Sequence, residues 1–209
     1  MAGGDVHGGR KNKGKLTGYP AADGENAVIY FSLARNTDIS AEIFPCHKLI
    51  IMSAGTLEIY GGNRARLAAG ECILAPAGIP AGMRTADSAV YTEIQIRRTD
   101  SMNDSISAGK VFSLAELVPY QQGRIVNMDI VHSDKMKFVV MAFDEGTGLS
   151  EHAAPGEAMI FALDGEGVIV YEGAEHKLVK GENFCFAKGG LHSVRADKKF
   201  KMALLLTLE

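Results

Sequence analysis

An all-β fold is predicted, and three features of the sequence carry that expectation. Glycine is in excess: 24 of 209 residues, with only six prolines and no tryptophan, against a usual ~7% glycine. Such a composition favours many tight turns between short strands over long helices. The apolar residues fall in short runs rich in Val, Ile, Phe and Tyr, bounded by Gly, Pro, Asn, Asp or Ser. The same landmarks also recur half a chain later. Ser40, Pro45 and Gly55 answer to Ser150, Pro155 and Gly165 at an offset of 110, and Gly70 answers to Gly181 at 111.

Residues 1–25 form a glycine-rich, basic segment without periodicity, read as an irregular arm. Strands are then predicted at 27–33, 48–52, 56–60, 71–75 and 90–96. Polar residues 98–110 read as a connection. Ser113 followed by Glu116 fits a capping box for a short helix over 114–118, which Pro119 ends. Strands resume at 138–143, 159–163, 167–171, 183–186 and 202–207. The strings PCHKLIIMSAGTLEIYGG and PGEAMIFALDGEGVIVYEG lie over one another with matching apolar runs and turns. The expected organisation is therefore an arm (1–25), a first β-module (26–98), a linker with a short helix (99–119) and a second β-module (120–209).

Charge narrows the function. The net charge is −3, with the basic residues of the arm set against an acidic remainder, so no basic stripe suits a phosphate backbone and no nucleic-acid partner is expected. No apolar stretch is long enough to span a bilayer, and the N-terminus lacks a signal-peptide core, so the expectation is a cytoplasmic protein without a membrane partner. Cys46, Cys72 and Cys185 are too widely spaced for a zinc knuckle or a disulfide framework and read as buried apolar residues.

Ligand-type side chains concentrate in the second module. His152 and Glu157 flank Pro155-Gly156, a turn that allows both to point to one side of a sheet, and His192 follows the Gly189-Gly190 turn. Two imidazoles and a carboxylate suit a borderline divalent ion such as zinc, manganese, iron or nickel, with positions left open for water or substrate. His132 and His176 read as surface residues. Lys188 and Arg195, on either side of His192, read as solvated loop charges. Met159 and Phe161, like Phe184 and Phe186, are spaced to share a face, as core or as pocket wall.

These segments resemble the two motifs of the cupin superfamily. His152 takes the place of the second motif histidine, and Glu157 follows after four residues. Gly181, Gly189 and His192 fit the second motif at full spacing. Ser150 stands where the first histidine belongs and Ala187 where a proline belongs. The Gly148–Pro155 string also looks like that of small single-domain cupins. The resemblance implies two tandem double-stranded β-helix (jelly-roll) barrels, a bicupin, with the ligand site in a barrel mouth. It also implies a divalent transition metal on His152, Glu157 and His192, a small polar, possibly carbohydrate- or carboxylate-type, ligand beside it, and a homodimer. An enzyme of this kind would be isomerase-, lyase- or dioxygenase-like. The alternatives are a metal-free small-molecule sensor and a structural bicupin without catalysis. In the first module the repeat places Glu42 where His152 is, His47 where Glu157 is and Ala81 where His192 is, a degenerate site.

Overall fold

The computed structural model describes residues 27–208; the basic arm predicted over 1–25 lies outside them. The first half is built from β1 (Val28–Leu33), β2 (Thr37–Glu42), β3 (His47–Gly61), β4 (Ala65–Ala68), β5 (Cys72–Ala75), β6 (Ala81–Thr85) and β7 (Ala89–Ile96). A connector carries two short strands, β8 (Ser101–Met102) and β9 (Val111–Phe112). The second half contains β10 (Ile125–His132), β11 (Met136–Phe143), β12 (Thr147–Ala153), β13 (Glu157–Tyr171), β14 (Ala174–Val179), β15 (Asn183–Phe186), β16 (Leu191–Ala196) and β17 (Phe200–Thr207). All the pairings are antiparallel.

One long strand organises each half. The start of β3 pairs with β5 and β7, and its end with β4 and β6. Likewise β13 pairs first with β15 and β17, then with β14 and β16. Each long strand therefore replaces two that the sequence predicted, because Gly55 and Gly165 bend the chain without ending its pairing. Both have positive φ (74° and 68°), and a Cβ on either would strike a backbone carbonyl, that of Ser88 or of Lys199. Just before each glycine the register with β7 or β17 shifts by a residue, the bulge that turns a strand from one sheet into the next.

The apolar run from Leu49 to Met52 is buried on both faces, so its side chains feed two cores. Ile50 and Met52 join Leu57, Ile59, Leu67, Ile73, Met83 and Tyr91 inside the first half. Leu49 and Ile51 face the other way and meet Phe138, Val140, Phe161 and Leu205 of the second half. A third cluster, with Phe143, Ile160, Ile169, Val194, Phe200 and Met202, fills the second half. Met159 and Phe161 thus belong to the seam between the halves, whereas Phe184 and Phe186 pack with the second half's own core.

The connector departs from expectation. Residues Leu114–Glu116 form a 3₁₀ turn, and Ser113 makes no side-chain cap bond there. The five residues between Ser113 and Pro119 are too few for an α-helix to repay its nucleation, so a backbone bond from Glu116 N–H to Ser113 O closes a single turn. The connector also stitches the halves together, since β8 pairs with β10 and β9 with β5. Strands β2, β4, β6, β8, β9, β10, β12, β14 and β16 go beyond those expected from the sequence. The outer ones, β2, β12 and β14, are largely exposed and polar and give little apolar signal. Of the cysteines only Cys72 is buried; Cys46 is half-buried and Cys185 exposed, and all three are free.

Candidate functional site

Strands β12 and β16 run side by side in the second half, with His152 directly across from His192. A register shift between Leu149 and His152 leaves Ser150 and Glu151 out of the ladder and sets the direction of the following histidine. The two imidazole centroids are 4.2 Å apart. His192 is 5% exposed and stacks on Phe186, at 4.3 Å and 24°. Tyr171, its cross-strand neighbour on β13, lies 5.4 Å from Phe186, and Phe184 completes an aromatic wall. The Ala187 N–H donates to the Tyr171 hydroxyl, which fixes that ring against the turn.

Both histidines are held by backbone carbonyls. Nδ1 of His152 is 2.8 Å from the carbonyl of Ser150, and Nδ1 of His192 is 3.2 Å from that of Gly190. A carbonyl only accepts, so each Nδ1 carries a proton, and in the neutral ring it is Nε2 that keeps the lone pair. Burial pushes the His192 pKa below its ordinary value, and the neighbouring His152 adds to that against the opposing effect of the Gly190 carbonyl. The site therefore presents a neutral His192 beside a second imidazole, against an aromatic wall.

Glu157 is not with them. It opens β13, where Ala158, Ile160 and Ala162 point into the second half's core and Met159 and Phe161 point to the seam. Strand alternation puts Glu157 on the Met159 side. Its carboxylate acts on the Cys185 thiol, whose pKa burial raises first and Glu157 raises further. It lines a cavity of about 660 Å³ with Val28, Tyr30, Met159 and Leu205. The inward place is taken by Ala158, which has no ligand atom. The motif spacing runs across the Pro155-Gly156 turn, but the face a residue occupies is set by parity within the strand. Counting back in twos from the apolar Ile160 and Ala162 arrives at 158, not 157. Among the described residues no group of three or more His, Cys, Asp or Glu side chains could hold a metal ion.

The remaining residues behave as surface groups. His132 and His176 are exposed, and Arg195 pairs with Glu175 and Asp197. In the first half Glu42 is the cross-strand neighbour of Ala81, just as His152 is of His192. His47 is turned aside, its Nδ1 accepting from the Ala77 N–H at 3.2 Å. Among the described residues no helix is long and apolar enough to cross a membrane.

Comparison with known proteins bears on the fold. Residues 139–208 match the family model described as a cupin domain. A cupin 2 conserved barrel domain protein from Leptotrichia buccalis superposes with a TM-score of 0.80 at 27% identity, over 92% of this chain and 89% of that one. Salicylate 1,2-dioxygenase from Pseudaminobacter salicylatoxidans superposes with a TM-score of 0.66 at 12% identity, over 88% and 71%. A conserved protein of unknown function from Streptococcus pyogenes matches 54% of this chain and 98% of its own, at 23% identity and a TM-score of 0.50. No curated protein sequence matches the chain. Residues 139–208 therefore carry a cupin-domain match, and the all-β fold of the described residues is that of cupin-barrel proteins.

Proposed function

We propose that the chain is a duplicated, two-barrel cupin-type protein whose second barrel binds a small polar molecule at His152 and His192. The observation that carries this reading is the pairing of the two imidazoles at 4.2 Å, each with Nδ1 against a backbone carbonyl. A neutral His192 beside a second imidazole, against an aromatic wall, suits a ligand that brings its own hydroxyl or amide donors and an apolar surface to lie on Phe186.

The three-ligand metal set does not fit this donor arrangement. Two imidazole Nε2 atoms are available, but Ala158 stands where a carboxylate would complete the site and Glu157 faces the seam. No catalytic step is therefore derived through a metal, and the site is read as a binding site.

Thermal shift in the presence of EDTA, screened against sugars and hydroxy acids, tests the reading. A ligand at about 100 Kd stabilises the native state by ~2.7 kcal/mol. That stabilisation is expected to vanish in His192→Ala and to persist in Glu157→Gln. Stabilisation that survives His192→Ala, or that requires a divalent metal and Glu157, would overturn it.

A further inference from the structure

The cavity of about 660 Å³ that Glu157 lines lies between the two halves, and the His152/His192 site does not use it. Strand β1 gives it Val28 and Tyr30 from the first half, while β13, β15 and β17 give it Glu157, Met159, Cys185 and Leu205 from the second. Cross-strand pairing sets their order. Cys185 faces Met159 and Met159 faces Leu205, with Glu157 opposite Thr207 in the next row on the same side. The Tyr30 hydroxyl donates to Met159 Sδ at 2.7 Å and joins the two halves at the cavity.

The first half shows the same row closed. Leu49 faces Leu74 and Ile94, and all three are buried in the seam cluster with Ile106, Leu114 and Val118 of the connector. In the second half's row Cys185 is exposed and Met159 only half-buried. The volume left there is within the ~300–1,000 Å³ of small-molecule sites, so an organic molecule has room.

Glu157 decides which kind. Among the described residues that line the cavity it alone carries a charge. The Cys185 thiol is raised in pKa by burial first and by Glu157 next, and the Tyr30 phenol is pushed up to about 12 by burial and then by Cys185. Both therefore stay neutral near pH 7, and the carboxylate, thiol and phenol are close enough to act on one another. An anion would be repelled by Glu157, and a neutral apolar guest would strip water from it without compensation. A metal ion would want a group of three ligand side chains, which is absent among the described residues. Tyr30 adds a π-face that attracts an ammonium group, and Met159 a polarizable sulfur that adapts to an apolar body.

We propose that this cavity binds a small organic cation, an ammonium group on an apolar or aromatic body, with Glu157 as its counter-ion. The ammonium pairs with the exposed Glu157 carboxylate, and the body fills the space against Val28, Met159 and Leu205. Phe186, which stacks on His192, points to the opposite face of β15 from Cys185, so this site and the histidine site can fail independently.

The test titrates the whole chain at pH 7 with benzylamine, benzyl alcohol and benzoate, probes alike in size that differ in charge. Methionine-methyl NMR follows Met159, assigned with Met159→Leu, and iodoacetamide alkylation follows Cys185. Benzylamine is expected to shift the Met159 methyl saturably and to slow Cys185 alkylation several-fold, with Cys46 alkylation unchanged. Benzyl alcohol is expected to bind several-fold more weakly, and benzoate not measurably. In Glu157→Gln the preference for benzylamine over benzyl alcohol is expected to disappear, and added salt is expected to narrow it in the wild type. No saturable Met159 shift with benzylamine would overturn the proposal. So would benzyl alcohol or benzoate binding as tightly, or a preference that survives in Glu157→Gln. Protection of Cys185 that grows with protein concentration in the absence of any probe would assign the cavity to contact between two copies and overturn it as well.

Discussion

His192 is tuned by its surroundings to stay uncharged, and that has a measurable consequence for stability. Its pKa is lowered on folding, chiefly by burial, and that of His47 is lowered by burial and by Arg98. The unfolded chain therefore binds protons that the folded chain refuses. Stability from these groups is complete above the unfolded value near 6.5 and falls as pH drops below it. Chemical denaturation at pH 7.5, 6.0 and 5.0 is expected to show this loss, reduced in His192→Phe. A flat profile through that window would contradict a buried neutral His192. The tautomer is open to the same scrutiny: imidazole ¹H–¹⁵N correlations are expected to show Nδ1–H for both His152 and His192, unchanged in Glu157→Gln. At this scale the two histidines were legible because glycine- and proline-bounded motifs announce them. Glu157 misled because residue type and spacing do not report which face of a strand a side chain takes.

Among the elements, β13 concentrates the design of the second half. It gives Ala158, Ile160 and Ala162 to one core, Met159 and Phe161 to another, and Tyr171 to the histidine site. The bend at Gly165 makes that possible. Gly165→Ala is expected to destabilise by at least 1–2 kcal/mol, roughly the steric cost of a left-handed non-glycine residue, with more from the collision with the Lys199 carbonyl. Urea denaturation would measure it, and an unchanged midpoint would contradict the strained geometry. The apolar strands were readable because a core must be filled. Strands such as β12 were not, since their exposed polar residues are held by pairing with β16, a tertiary contact that leaves little local signature. The short helix failed for the opposite reason: a capping pattern was present at Ser113 and Glu116, but Pro119 left too little chain to use it.

For the whole molecule, the seam between the halves is the largest shared feature. Phe138 and Phe161 meet edge to face there, 6.3 Å apart, at 0% and 5% exposure, opposite Leu49, Ile51 and Ile94. Phe138→Ala is expected to cost about 3–5 kcal/mol and to lower one cooperative transition. Two separate transitions would show that the halves are independent. Residues 120–209 expressed alone would expose Phe138, Val140 and Leu205 and are expected to associate, as light scattering at two concentrations would reveal. The likeness of β3 to β13 was visible in the sequence because glycine and proline landmarks keep their spacing. What it did not disclose is that the corresponding inward positions differ in chemistry, an ion pair between Lys48 and Glu93 in one half and an apolar layer of Ala158, Ile160, Leu204 and Leu206 in the other.

The most direct measurement on the central claim, that the second-half site is a pair of histidines without Glu157, is a zinc titration of metal-free protein by calorimetry in three forms. Wild type and Glu157→Gln are expected to give the same isotherm, with no tightly bound equivalent of zinc in either, and His192→Ala to remove any weak binding that the two imidazoles support. A tightly bound equivalent of zinc in the wild type that Glu157→Gln abolishes would contradict it.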